Sequence, residues 1–131
     1  MLAVDSNVVV RYLARDDSAQ TARATRLIRT EPILLLKTVL LESEWVLRSA
    51  YGFDRNATAG AFRSLAGLPT VHVEDEAAVA QALDWFAAGM DFADALHLSG
   101  SSGAVDQFAT FDRRLAKTAQ RLAPTNLLLL S

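Results

Sequence analysis

Five short, mostly apolar runs, at residues 2–4, 33–36, 71–73, 107–111 and 126–130, alternate with longer segments that open on cap-forming residues and carry helix signals. Strand and helix in strict turn have few ways to bury both, and the simplest is a mostly parallel central sheet flanked by helices, an α/β fold. The run Ile33, Leu34, Leu35, Leu36 shows no polar alternation, as expected of a strand covered on both faces. Between the strands, helices are expected from Val8 to a break at Asp16, Asp17 and Ser18, and from that cap to Thr30, ended by Pro32. A Thr38 cap opens the next, over 39–51, and 57–66 follows, closed by Gly67 and Pro69. Glu74, Asp75 and Glu76 place anions at the positive end of a helix running to Ala88, with Gly89 at its exit. The last two helices run from Phe92 to before Ser101 and over 113–122.

At 131 residues the chain suits one domain over 1–131, large enough to bury about two-thirds of its unfolded surface. The absence of cysteine excludes a disulfide framework and thiolate chemistry, and leaves a zinc site only His72, His97 and carboxylates. The residues around His72 and His97 read as those of ordinary strand and helix histidines. The longest charge-free apolar run, 33–36, falls far short of the roughly 20 residues that cross a bilayer. With no export signal at the N-terminus either, a cytoplasmic protein without a membrane partner is expected.

Charge is unevenly spread: residues 1–73 carry 9 basic and 7 acidic side chains, whereas 74–131 carry 4 and 8. Eleven of the 13 cations are arginine, whose planar fork suits phosphate. Arg11 and Arg15, near the start, and Arg113 and Arg114, beside Asp112, are the candidates for contact with a nucleic acid; a solvated helix face is the plainer account of the same residues.

Ligands of open α/β sheets bind beyond the carboxyl ends of strands, which draws attention to Asp5 and Asp112. Taken singly, each reads as well as a helix N-cap. Glu42 and Glu44 lie about 200° apart around a helix and cannot both face one site. Glu44, four residues before Arg48, is expected in a solvent-facing ion pair, and Glu42 is then the inward-turned acid beside Val39, Val46 and Ala50. Asp91 and Asp94, three apart at a helix start, are candidates for a site and equally for an imperfect capping box, and Ala93 and Ala95 leave room around Asp94.

Four segments taken together, V-D-S-N-V-V-V-R-Y-L at 4–13, T-V-L-L-E-S-E-W-V-L at 38–47, D-F-A-D-A-L at 91–96 and T-F-D-R-R-L at 110–115, resemble the PIN-domain ribonucleases, in particular the VapC toxins of toxin–antitoxin pairs. No single segment is specific; their order and spacing are. The resemblance implies an acidic quartet of Asp5, Glu42, Asp94 and Asp112, with Asn7 and Thr110 as polar neighbours and Asp91 as a fifth acid. Ser6 stands where the family has threonine and keeps the hydroxyl. The resemblance also implies an RNA substrate, a homodimer and a cognate antitoxin protein whose C-terminal segment covers the site.

Physical chemistry agrees with it. Carboxylates meeting within about 5 Å repel by roughly 3 kcal/mol per pair at an effective dielectric near 20, so such a cluster takes up protons or a cation. Oxygen ligands suit Mg²⁺ or Mn²⁺, ions that lower the pKa of a bound water and stabilise a leaving oxygen in phosphodiester hydrolysis. The expected activity is therefore a metal-dependent endoribonuclease. Two other readings stand beside it: a haloacid-dehalogenase-like phosphohydrolase with Asp5 as nucleophile, which would need an acid where Asn7 stands, and a non-catalytic binding domain whose acids only cap helices.

Overall fold

The computed structural model describes residues 1–16, 18–123 and 126–131; Asp17, part of the expected break before the second helix, lies outside the described residues. The chain divides into two compact units, residues 1–76 and 77–131.

In the first unit, β1 (Leu2–Ala3), β2 (Ile33–Leu35) and β3 (Val71–Val73) form a parallel sheet with β2 in the middle. Ile33 is in register with Leu2 on one side and Val71 on the other. Ile33 and Leu35 are each only 1% exposed, a burial that stabilises by about 1.5–3 kcal/mol per side chain. Two helices make each crossover: α1 (Ser6–Ala14) and α2 (Ala19–Thr30), then α3 (Lys37–Tyr51) and α4 (Arg55–Ala66). The first packs on the second and third. Asp5 caps α1, Ser18 caps α2 and Asp54 caps α4, each side chain accepting a backbone N–H of the first turn. The Asp54 cap is why α4 starts before the expected residue 57. Gly52 ends α3 at φ 68°, where a Cβ would cost about 1–2 kcal/mol, and its N–H bonds the carbonyl of Leu47.

Two local expectations are corrected. The N-terminus of α3 is not capped by Thr38; the Glu74 carboxylate reaches it from the end of β3 and accepts the Lys37 N–H at 2.9 Å, while Lys37 Nζ pairs with Asp75 at 3.1 Å. Two of the anions expected to serve the following helix thus serve α3. Glu44 does pair with Arg48, with Nε to Oε2 at 2.9 Å, but it is buried and not solvent-facing. The inner stripe of α3 is Leu40, Ser43, Glu44 and Leu47, a 3-4 spacing that includes Glu44 and leaves Glu42 exposed at its edge.

The second unit follows with α5 (Glu76–Ala87, whose first residue closes the first unit), α6 (Phe92–Ser101), β4 (Phe108–Thr110), α7 (Arg113–Leu122) and β5 (Leu127–Leu129). Phe86 of α5 meets Phe92 of α6 edge-on, with centroids 5.1 Å apart, a contact of about 0.5–1.5 kcal/mol beyond burial. The β4 and β5 strands pair in parallel, and α7 is the helix that connects them. Every described strand pair is therefore parallel, as expected, but the strands form two ladders, of three and two strands, where one central sheet was expected. With only two or three residues per strand, each ladder has few backbone bonds with which to recruit another.

Candidate active site

In the first unit, Asp5 follows the extended residues of β1 and enters α1 as its N-cap, with Oδ1 accepting the Val8 N–H at 3.1 Å. The next residue, Ser6, donates its hydroxyl to Oε1 of Glu42 on α3. One hydrogen bond thus brings Glu42 to the segment that carries Asp5. Asn7 is exposed beside them. An open cavity of about 530 Å³ begins at Asp5 and Asn7 and runs between α1 and α2, past Arg11, Gln20 and Arg23.

Arg11 is engaged: it pairs with Asp16, which also accepts the hydroxyls of Thr21 at 2.5 Å and Ser18 at 3.0 Å. The Thr21 bond holds the Asp16 carboxyl below its ordinary value; desolvation, the next largest influence, opposes it, and Ser18 and Arg11 add to the lowering. Arg15, by contrast, is exposed and closes α1 in the left-handed conformation at φ 50°.

In the second unit, Asp91 caps α6 by accepting the Asp94 N–H at 3.1 Å, and Asp94 sits half-buried in the first turn. Asp112 caps α7, its Oδ1 accepting from Arg114 at 2.9 Å and Leu115 at 3.0 Å, while its own N–H donates to Thr110 Oγ1 at 3.0 Å. Burial first, and then the charges of Asp91 and Asp112, raise the Asp94 carboxyl above its ordinary value; His97 works the other way. The capping and functional readings of these acids are compatible, because a carboxylate has two oxygens: in Asp5 and in Asp112 the backbone bonds fall on Oδ1, leaving Oδ2 for a ligand.

Each unit therefore carries one pair of the expected quartet: Asp5 and Glu42 in the first, Asp94 and Asp112 in the second. Among the described residues, no three His, Asp or Glu side chains are grouped closely enough to hold a metal ion. The donor chemistry is nevertheless that of a hard cation. All candidates are carboxylates, and like charges such as those around Asp94 are the kind a hard positive ion would offset. Both histidines are exposed, at positions that assemble no nitrogen-rich centre among the described residues.

Sequence reasoning missed the Ser6 bond to Glu42, which joins residues 36 apart and has no local signal.

The model of one protein family, the PIN domain, matches residues 2–121. Among solved structures, the chain resembles the crystal structure of Mycobacterium tuberculosis VapC20, a Sarcin-Ricin loop cleaving toxin, at 20% identity and a TM-score of 0.45, over 89% of this chain and 94% of that one. No curated protein matches.

Proposed function

Because the chain belongs to the PIN-domain family, we propose that it is a metal-dependent endoribonuclease acting as the toxin of a toxin–antitoxin pair, with Asp5, Glu42, Asp94 and Asp112 as its catalytic carboxylates. The observation that carries this reading is the match of the PIN-domain model to residues 2–121, and the half-buried Asp94 beside the exposed Asp91 and Asp112 supports it. A bound cation would offset the repulsion among these three like charges. The family match runs through both units, which supports reading residues 1–131 as one nuclease domain.

In this reading Asp5, Asp94 and Asp112 would hold Mg²⁺ or Mn²⁺, which when bound would supply an activated water and charge stabilisation for the leaving oxygen. The chain's own part is positional. Ser6 fixes the rotamer of Glu42 through the hydroxyl bond. Thr110 fixes the Asp112 backbone, and the first turns of α1 and α7 each hold one carboxylate oxygen, which leaves the other for a ligand. Asp91 orders the first turn that presents Asp94. Arg15, Arg113 and Arg114 are exposed cations for RNA phosphates, while Arg11 must exchange Asp16 for phosphate to take part.

A cognate antitoxin protein and a homodimeric assembly complete the proposal, with a cytoplasmic location; no helix among the described residues is long and apolar enough to cross a membrane. The test is cleavage of a randomised RNA pool with Mg²⁺, Mn²⁺ or EDTA, followed by sequencing of the new ends. Metal-dependent cuts that vanish in Asp94→Asn support the reading, and an equal cutting rate in Asp94→Asn and the parent removes it.

A further inference from the structure

All four cations of the second unit, Arg113, Arg114, Lys117 and Arg121, lie on α7, and that helix has no acidic side chain. At 100° per residue they fall at about 0°, 100°, 40° and 80°, one arc of about 100°. The buried Leu115 and Ala119 lie at about 200° and 240°, on the opposite side. Each of the four is exposed, and none takes part in an ion pair among the described residues.

This placement is not what helix stability favours. Two of the cations occupy the first turn, where the helix dipole opposes positive charge by about 0.3–1 kcal/mol each, and the Asp112 cap offsets only part of that. Arg113, Lys117 and Arg121 follow one another at i, i+4 and i+8. The steps are about 6 Å along the axis, comparable to the separation of successive phosphates in an extended strand. The row begins beside Asp112 and runs away from it.

We infer that this face of α7 is a rail for the backbone of single-stranded RNA, Lys117 and Arg121 taking phosphates beyond those nearest Asp112. The inference rests on the ribonuclease reading for its substrate class. It adds that binding energy comes from a sequence-independent electrostatic track, so recognition of bases must lie elsewhere.

The test follows binding of a fluorescein-labelled single-stranded RNA of randomised sequence by the full chain in EDTA, as a function of NaCl. Each phosphate contact contributes about 0.7 to the slope of log K against log salt for a single strand. Lys117→Ala with Arg121→Ala is therefore expected to flatten the slope by about 1.4 and to weaken binding about tenfold at low salt. The Gln pair at the same positions should behave alike, and Arg121→Lys alone should keep the slope. Arg26→Ala with Arg29→Ala removes the same charge from the exposed side of α2 and should change the slope less. An unchanged slope in the α7 variants, or an equal loss in the α2 pair, overturns the rail. So does loss of binding to polyglutamate with RNA binding intact, which assigns the face to an acidic protein segment. Adding Mg²⁺ separates the two readings: a parent chain that binds this RNA with the expected slope but leaves it uncut defeats the ribonuclease reading and not the rail.

Discussion

Ser6 donates its hydroxyl to Glu42 across 36 residues of sequence, tying the first turn of α1 to α3. With Glu42 as a catalytic carboxylate, as proposed, the bond would make Ser6 a positioning residue, because it restricts that carboxylate. Ser6→Ala should lower kcat for RNA cleavage about tenfold, the equivalent of about 1.4 kcal/mol and close to the worth of a hydrogen bond to a charged group. KM should stay as it is, and Ser6→Thr should restore the rate. Loss of stability with kcat intact in Ser6→Ala would show that the bond serves only the fold.

How much of this was readable beforehand differs from residue to residue. The helix over 113–122 was legible to the residue because its start is local: Asp112 accepts from Arg114 and Leu115, two and three positions on. The start of α3 was misread because its cap comes from Glu74, which only the pairing of β2 with β3 brings near. Glu44 was misplaced for a related reason. An i,i+4 pair with Arg48 is a surface pattern in an isolated helix, and only packing decides which stripe turns inward. At the candidate site, the spacing of Asp91 and Asp94 was visible, but the second charge acting on Asp94, from Asp112, belongs to another helix start.

Asp94 predicts a dependence on pH. Its carboxyl is raised in the folded chain, so the folded state holds this proton more tightly than the unfolded state does. The ionised form therefore costs stability above the folded pKa, and the cost disappears as pH falls through that value towards the ordinary 3.8. In EDTA, Asp94→Asn should melt higher than the parent near pH 7, and the difference should shrink as the solution is acidified. Mg²⁺ should raise the melting temperature of the parent more than that of the variant. Calorimetric scans across pH, with and without Mg²⁺, measure both; a difference that stays constant with pH would disprove the electrostatic account.

Glu44 is 5% exposed and holds Arg48, whose side chain is largely exposed. Glu44→Ala should cost about 1.5–3 kcal/mol in urea unfolding, as expected for a lost hydrogen bond to a charged group on a buried face. Glu44→Gln, which keeps the shape, should cost less. Both should cleave RNA at the parent rate when folded. A purified, fully folded Glu44→Gln chain as slow as Glu42→Gln would exchange the roles of the two acids.

Arg15 closes α1 at φ 50° and ψ 55°, its N–H bonded to the carbonyl of Arg11. In this conformation a side chain crowds its own carbonyl at a cost of about 1–2 kcal/mol, which glycine avoids. Glycine's greater freedom in the unfolded chain cancels part of that gain, so Arg15→Gly should stabilise the protein by up to about 1 kcal/mol. If the exposed guanidinium meets RNA, the same change should weaken RNA binding and flatten its salt dependence by about 0.7. Opposite movements of stability and affinity, read from urea unfolding and RNA titration of one variant, would show that the strained position is kept for its charge. A stabilised variant with unaltered RNA binding would remove Arg15 from the substrate contacts.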